Sequence, residues 1–105
     1  MKPKVSVITS YFKGEKYLPT FIENLKSQTI FDSLELCFNH NEPTQNELEM
    51  VKTIPDKNIN HQIENEVIPL YKSWNRCIES ASAEYLCIWN VDDVRTLDSI
   101  ELMSN

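Results

Sequence analysis

Glycine occurs once in 105 residues, at Gly14. That excludes collagen-like and flexible low-complexity sequence. It also removes the loops that usually cradle nucleotide phosphates, since neither Gly-x-x-x-x-Gly-Lys nor Gly-x-Gly-x-x-Gly is present. Long apolar runs are missing as well. None approaches the roughly 20 residues that cross a bilayer. Val5-Ser6-Val7-Ile8, behind the basic Met1-Lys2-Pro3-Lys4, is too short for the apolar region of a signal peptide. Positive charge is scarce: 10 Lys and Arg face 16 Asp and Glu, for a net charge of −6. Such a surface repels nucleic acid and anionic membranes, so neither is an expected partner. A nucleotide ligand stays open, because a divalent metal offsets phosphate charge locally. Cys37, Cys77 and Cys87 are odd in number and form no Cys-x-x-Cys pair, which reads as reduced, buried thiols in the cytoplasm.

What is present is ordinary globular material for one small domain, 41 % hydrophobic and 25 % charged. Lys4 to Thr9 is short and β-branched and reads as a first strand, with a loop from Tyr11 to Lys16. Leu18, Phe21, Ile22 and Leu25 make one apolar helix stripe, and Pro19 fits its first turn. Leu34 to Phe38 is a second strand, followed by the loop Asn39 to Pro43. Thr44 with Glu47 forms a capping box that starts a short, partly exposed helix. The acidic residues from Glu42 to Glu49 read as its solvated face. Ile59 to Ile63 alternates with period 2 and suits a sheet edge. A third helix spans about Ile68 to Ser82, with Tyr71, Trp74, Ile78 and Ala81 on its inner face. Tyr85 to Trp89 is a continuous apolar run, as in a strand covered on both faces. A last helical pattern, Thr96 to Asn105, carries Leu97, Ile100 and Met103.

This alternation predicts an α/β fold, a Rossmann-like parallel sheet with flanking helices and right-handed crossovers. Ligands of open parallel sheets bind beyond the carboxyl ends of the strands, where strand order reverses. The segments to inspect are therefore Thr9 to Lys13, Asn39 to Glu42 and Asn90 to Arg95. Among these, Asn90-Val91-Asp92-Asp93 stands out, with two carboxylates at the end of an apolar strand. Ionised groups at the edge of a dry core need partners, and a divalent metal carrying a diphosphate is one. The alternative is structural: Asp93 caps the last helix, and Asp92 pairs with Arg95 or faces solvent. His40 and His61 lack metal-ligand spacing and read as surface residues. Ser10 and Ser73 lack a His–Asp partnership for a hydrolase triad.

The chain resembles the N-terminal, nucleotide-sugar-binding half of a family-2 glycosyltransferase with the GT-A fold. Lys4 to Tyr11, Tyr17-Leu18 and Gln28-Thr29 are similar to the family's opening strand, loop and first helix. Trp74 to Ile78, Glu84 to Leu86 and Asn90 to Asp93 are similar to the run into its Asp-x-Asp motif. The resemblance implies a nucleotide-diphosphate sugar donor, a divalent Mn or Mg ion, and a saccharide or lipid-linked saccharide acceptor. It implies that Thr9 and Tyr11 line the base and ribose site, that Asn41 sits where an Asp reads the base, and that Asn90 contacts the ribose. Asp92 would hold the metal, with Asp93 beside it as a second metal-side carboxylate or a brace for the loop. Asn90 and Asn41 replace acids of the family pattern, and no catalytic base is identifiable. The expected domain is residues 1–105, truncated relative to the family, placed in the cytoplasm or at the inner face of a membrane. A free edge on the fourth strand would favour a homodimer. Competing readings are a non-catalytic binding or scaffolding module of the same fold and, less well matched, a receiver-like regulator.

Overall fold

The computed structural model describes residues 3–55 and 59–104. Met1, Lys2 and Asn105, at the ends of the expected basic start and last helix, lie outside them, as does the Met103 side chain. The elements in order are β1 (Val5–Phe12), α1 (Leu18–Lys26), a 3₁₀ turn (Phe31–Ser33), β2 (Leu34–Asn41), α2 (Gln45–Val51), β3 (Ile59–Glu64), α3 (Leu70–Ser80), β4 (Tyr85–Ile88) and α4 (Ser99–Ser104). The four strands are all parallel and lie in the order β3-β2-β1-β4. The α/β expectation holds. β1 to β3 progress one way across the sheet, and β4 returns to the other side of β1.

One face of the sheet is apolar. Val5, Val7, Leu34, Leu36 and Phe38 pack there against Leu18, Phe21, Ile22 and Leu25 of α1, with Trp89 and Ile100. Each fully buried Phe or Leu side chain is worth about 2 kcal/mol. The other face is mostly polar. Only Ile8, Cys37 and Cys77 form an apolar cluster there, with Trp74 and Ala81 against it. All three thiols are free and buried.

Several expectations change. β1 and β2 run on through Phe12 and Asn41, so Tyr11, His40 and Asn41 are strand residues rather than loop. β4 is not covered on both faces. It is an edge strand in which Cys87 is buried while Tyr85, Leu86 and Ile88 are exposed. α3 lies over β1, β2 and β3 rather than over β4, and the strand buried throughout is β2. A continuous apolar run does not reveal how many faces are covered. β3 occupies the opposite edge, as its alternation predicts. α3 buries Ser73 and Cys77, whereas Tyr71 and Ile78 are exposed and Trp74 is half-buried. Its inner face is mixed: Ser73 meets the polar part of the sheet, while Cys77, with Trp74 against it, joins the small apolar cluster.

The capping box at Thr44 forms in both directions. Glu47, however, is buried rather than solvated: its carboxylate accepts from Thr44 N at 2.8 Å and from Gly14 N at 2.7 Å. It thereby ties the loop after β1 to α2. Gly14 is required there by contact, since a Cβ would meet the Tyr11 ring at 2.9 Å.

At the amino end of the sheet Glu35 is a buried carboxylate. It accepts from Ser6 Oγ at 2.6 Å, Ser82 N at 2.7 Å and Ser82 Oγ at 2.9 Å. Burial pushes its pKa up, but the donors from Ser6, Ser82 and Asn60 outweigh it and hold the group below its usual range. The stabilisation is present above the unfolded carboxylate pKa and disappears as pH falls through the lower folded value. Glu35→Gln should cost about 2 kcal/mol at pH 7, through donors left facing an amide N–H. In urea unfolding the gap to wild type should narrow below pH 4, and a gap independent of pH would contradict this account.

Candidate functional site

Beyond Ile8 the ladder between β1 and β4 ends. Its last bond runs from Trp89 N to Ile8 O at 3.0 Å. Trp89 is fully buried and meets the Phe21 ring edge-on at 5.2 Å. Its indole N–H donates to the Asp93 carbonyl at 2.9 Å, and Asp93 N donates to the Asn90 carbonyl at 3.1 Å. Asn90 to Asp93 is thus a turn anchored from below by one tryptophan. Arg95 sits over the same indole at 5.4 Å.

This turn opens a cavity of about 280 Å³ against the free upper half of β1. It is lined by Ser10, Tyr11, Phe12, Lys13, Gly14, Tyr17, Leu70, Asn90, Val91 and Asp92. A second cavity, of about 260 Å³, shares Ser10, Tyr11, Phe12 and Leu70 and adds Asn41, Val67 and Ile68. The two lie over the carboxyl ends of β1, β2 and β4, where the strand order reverses. Lys13 and Glu42, just beyond the ends of β1 and β2, have positive φ of 54° and 43° without being glycine. Such backbone costs on the order of 1 kcal/mol or more per residue and persists only where its surroundings hold it.

Of the residues singled out from sequence, Tyr11, Asn90 and Asp92 line the first cavity, and Tyr11 and Asn41 the second. Thr9 is buried below them and lines neither. Asp92 and Asp93 are both exposed, so neither is a charge stranded in a dry core. Asp93 lies outside the cavity lining and does not cap the last helix, which begins only at Ser99. Lys13, the last residue of the first inspected segment, also lines the first cavity, although the sequence assigned it no role. Its only signal is a cation directly after a strand end in an acidic chain.

The exposed Asp92 carboxylate at the cavity rim could offer one hard oxygen ligand. A Mg or Mn ion takes one or two carboxylates and completes its sphere with water and phosphate oxygens. Asp92 therefore fits an ion that arrives with a diphosphate. Among the described residues, no group of three His, Cys, Asp or Glu side chains is placed to hold a metal.

Beneath the cavities the two faces of the sheet differ. On the apolar face Tyr11 OH and His40 Nδ1 are 2.6 Å apart, and His40 Nε2 and His61 Nδ1 3.0 Å. His40 is fully buried, contrary to the surface position expected, while His61 is exposed. Their period-2 placement on β2 and β3 stacks the two rings at 5.2 Å. Burial, with the neighbouring His61 charge, pushes the His40 pKa down to about 4. Burial and the Glu47 charge push the Tyr11 hydroxyl up.

With this geometry in view, comparison with known proteins shows first the fold and then the family. Several solved structures are similar in fold. Residues 1–349 of TarS from S. aureus align with a TM-score of 0.86 at 21 % identity, over 96 % of this chain and 31 % of that one. The mannosyltransferase PcManGT from Pyrobaculum calidifontis, in complex with GDP-Man and Mn²⁺, aligns at 0.81 and 20 % identity, over 100 % of this chain and 31 % of that one. The same TarS piece in complex with UDP aligns at 0.77 and 19 % identity, over 96 % of this chain and 31 % of that one. The profile of glycosyl transferase family 2 matches residues 6–105, so the chain belongs to that family. It spans about a third of the length of the solved chains it matches. A search of curated protein sequences finds no match. No helix among the described residues is long and apolar enough to cross a membrane.

Because the His40 pKa falls from 6.5 to about 4 on folding, the unfolded chain binds the extra proton between those values. Stability present at neutral pH is therefore lost as pH drops through this window, by about 1.4 kcal/mol per pH unit from this group. In urea unfolding, His40→Gln should flatten the slope by that amount, whereas an unchanged slope would place the His40 proton elsewhere.

Proposed function

We propose that the chain is the donor-binding part of a family-2 glycosyltransferase, holding the nucleoside diphosphate of a sugar donor in the two joined cavities. The observation that supports this best is convergence. Three separate strand ends bring Tyr11, Asn41, and Asn90 with Asp92 to one rim at the point where strand order reverses. The second cavity, walled by Val67, Ile68, Leu70 and Tyr11, suits a flat base. The first, with Asn90, Lys13 and Asp92, suits ribose hydroxyls and phosphates. GDP-Man with Mn²⁺ and UDP in the two relatives agree with such a ligand.

In this reading each side chain has a defined task. Tyr11 forms the wall shared by the two cavities, its hydroxyl fixed by His40. The Asn90 amide can donate to or accept from a ribose hydroxyl, where a carboxylate would only accept. Lys13 brings positive charge to the diphosphate, and the Trp89 anchor fixes the height of Asp92 at the rim. A divalent ion bound by Asp92 and the diphosphate would stabilise the leaving group's charge. Transfer to an acceptor saccharide needs a base, which we assign to residues of the longer enzyme rather than to these. The buried thiols suit a reducing compartment, which supports a cytoplasmic setting.

A non-catalytic role of the same fold is favoured by one observation, the amides at Asn41 and Asn90. Calorimetric titration with UDP and GDP separates the two. Binding of either should strengthen with Mn²⁺ and weaken with EDTA, and Asp92→Ala should lose at least about tenfold, or 1.4 kcal/mol, of the metal-dependent part. Binding unaffected by Asp92→Ala would remove the metal role, and no binding of either nucleotide would leave the scaffolding role in its place.

A further inference from the structure

A third cavity lies at the β3 edge of the sheet, across from the edge formed by β4. Its volume is about 330 Å³, and it is lined by His40, Leu48, Val51, Lys52, His61 and Ile63. None of these lines the two cavities at the strand ends. Side chains alternate along β3. Asn60, Gln62 and Glu64 reach α3, so His61 and Ile63 face the other way, toward α2. That helix has only seven residues and ends at Val51. It leaves Ile63 55 % exposed, with a hollow between helix and strand.

Two imidazoles would ordinarily make such a wall polar. Here both ring nitrogens of His40 are engaged, Nδ1 with Tyr11 OH at 2.6 Å and Nε2 with His61 Nδ1 at 3.0 Å. The wall is accordingly apolar for the most part. Lys52 supplies the only lining ammonium, and no carboxylate lines the cavity, in a chain with 16 Asp and Glu against 10 Lys and Arg. Among the described residues Lys52 makes no ion pair.

These features define an occupant. A ring the size of benzene fits an apolar cavity of about 150 Å³, so this one takes such a ring with room for a small polar head. An unpaired ammonium beside carbon walls favours an anion over a neutral or cationic head. Lys52 is exposed, so the anion meets it at the rim and keeps part of its water, which avoids the cost of a fully buried charge.

We propose that the cavity between α2 and β3 is a second ligand site, which takes small monocarboxylates with a compact apolar body, the apolar part against Leu48, Val51 and Ile63 and the carboxylate at the Lys52 ammonium. The site stands apart from the nucleotide reading above, and neither depends on the other.

Benzoate is the probe, with benzyl alcohol and benzylamine as neutral and cationic counterparts on the same ring. In NMR titrations of the full chain, millimolar benzoate should shift the Leu48, Val51 and Ile63 methyl signals. Benzyl alcohol should bind about threefold more weakly, as expected for the loss of one exposed ion pair, and benzylamine more weakly still. Lys52→Gln should remove the preference for benzoate over benzyl alcohol. Lys52→Glu should reverse the order and put benzylamine ahead of benzoate. Both changes are at an exposed position and leave the core intact. Leu48→Trp, which fills the hollow, should abolish binding of all three probes. No methyl shift with benzoate would overturn the proposal, as would equal affinities for the three probes in wild type or an order unchanged by Lys52→Glu. Shifts gathered around Lys13 or on α3 instead of at the lining residues would mark non-specific anion binding and overturn it as well.

Discussion

β1 is hydrogen-bonded along its full length to β2 but to β4 only from Val5 to Ile8. Where the second ladder stops, the upper half of β1 has an open side, and the chain leaving β4 must turn away from it. The crevice, the turn from Asn90 to Asp93 and the position of Asp92 follow from that one interruption. The Trp89 backbone makes the last bond, and its side chain fastens the turn that comes next. Losing that ring would cost both core volume and the shape of the rim.

The sheet separates two kinds of interior. On the α1 side, aromatic and aliphatic groups supply the burial energy of the domain. On the α3 side, serines, asparagines and Glu35 fill much of the space and hydrogen-bond to one another. Such a layer adds little net stability per bond, but every bond in it restricts direction. The apolar layer holds the strands in place, and the polar layer orients what protrudes from their ends. Tyr11 and Asn41, on opposite faces of the sheet, are held by these two layers through quite different contacts.

The order of elements was legible because each leaves a local signature: β-branched runs, the Leu18–Leu25 stripe, the Thr44 capping box. The edge position of β3 was legible from its alternation. What the sequence hid was pairing at a distance. His40 reads as a surface histidine until Tyr11 and His61 are placed beside it by parallel register. Glu47 reads as a solvated acid until the Gly14 N–H arrives from 33 residues away. The apolar stripe of α3 was legible only in part, because the apolar patch opposite it is small: Trp74 and Ala81 reach it, whereas Tyr71 and Ile78 stay exposed. Around the cavities, Tyr11, Asn41, Asn90 and Asp92 were singled out as strand-end residues or by family resemblance, whereas Lys13 was marked only by its place after a strand end.

The three buried thiols divide between the two layers. Cys37 lies under α3 and Cys77 on its inner face, and Cys87 lies on the α1 side. Burial holds all three protonated, with Cys77 pushed up to about 12. A thiol reagent in solution therefore meets a reactive sulfur only when the layer covering it lifts away. The domain carries its own pair of clocks: the rate at which each sulfur is modified times the opening of one side of the sheet independently of the other, with no label added and no residue changed.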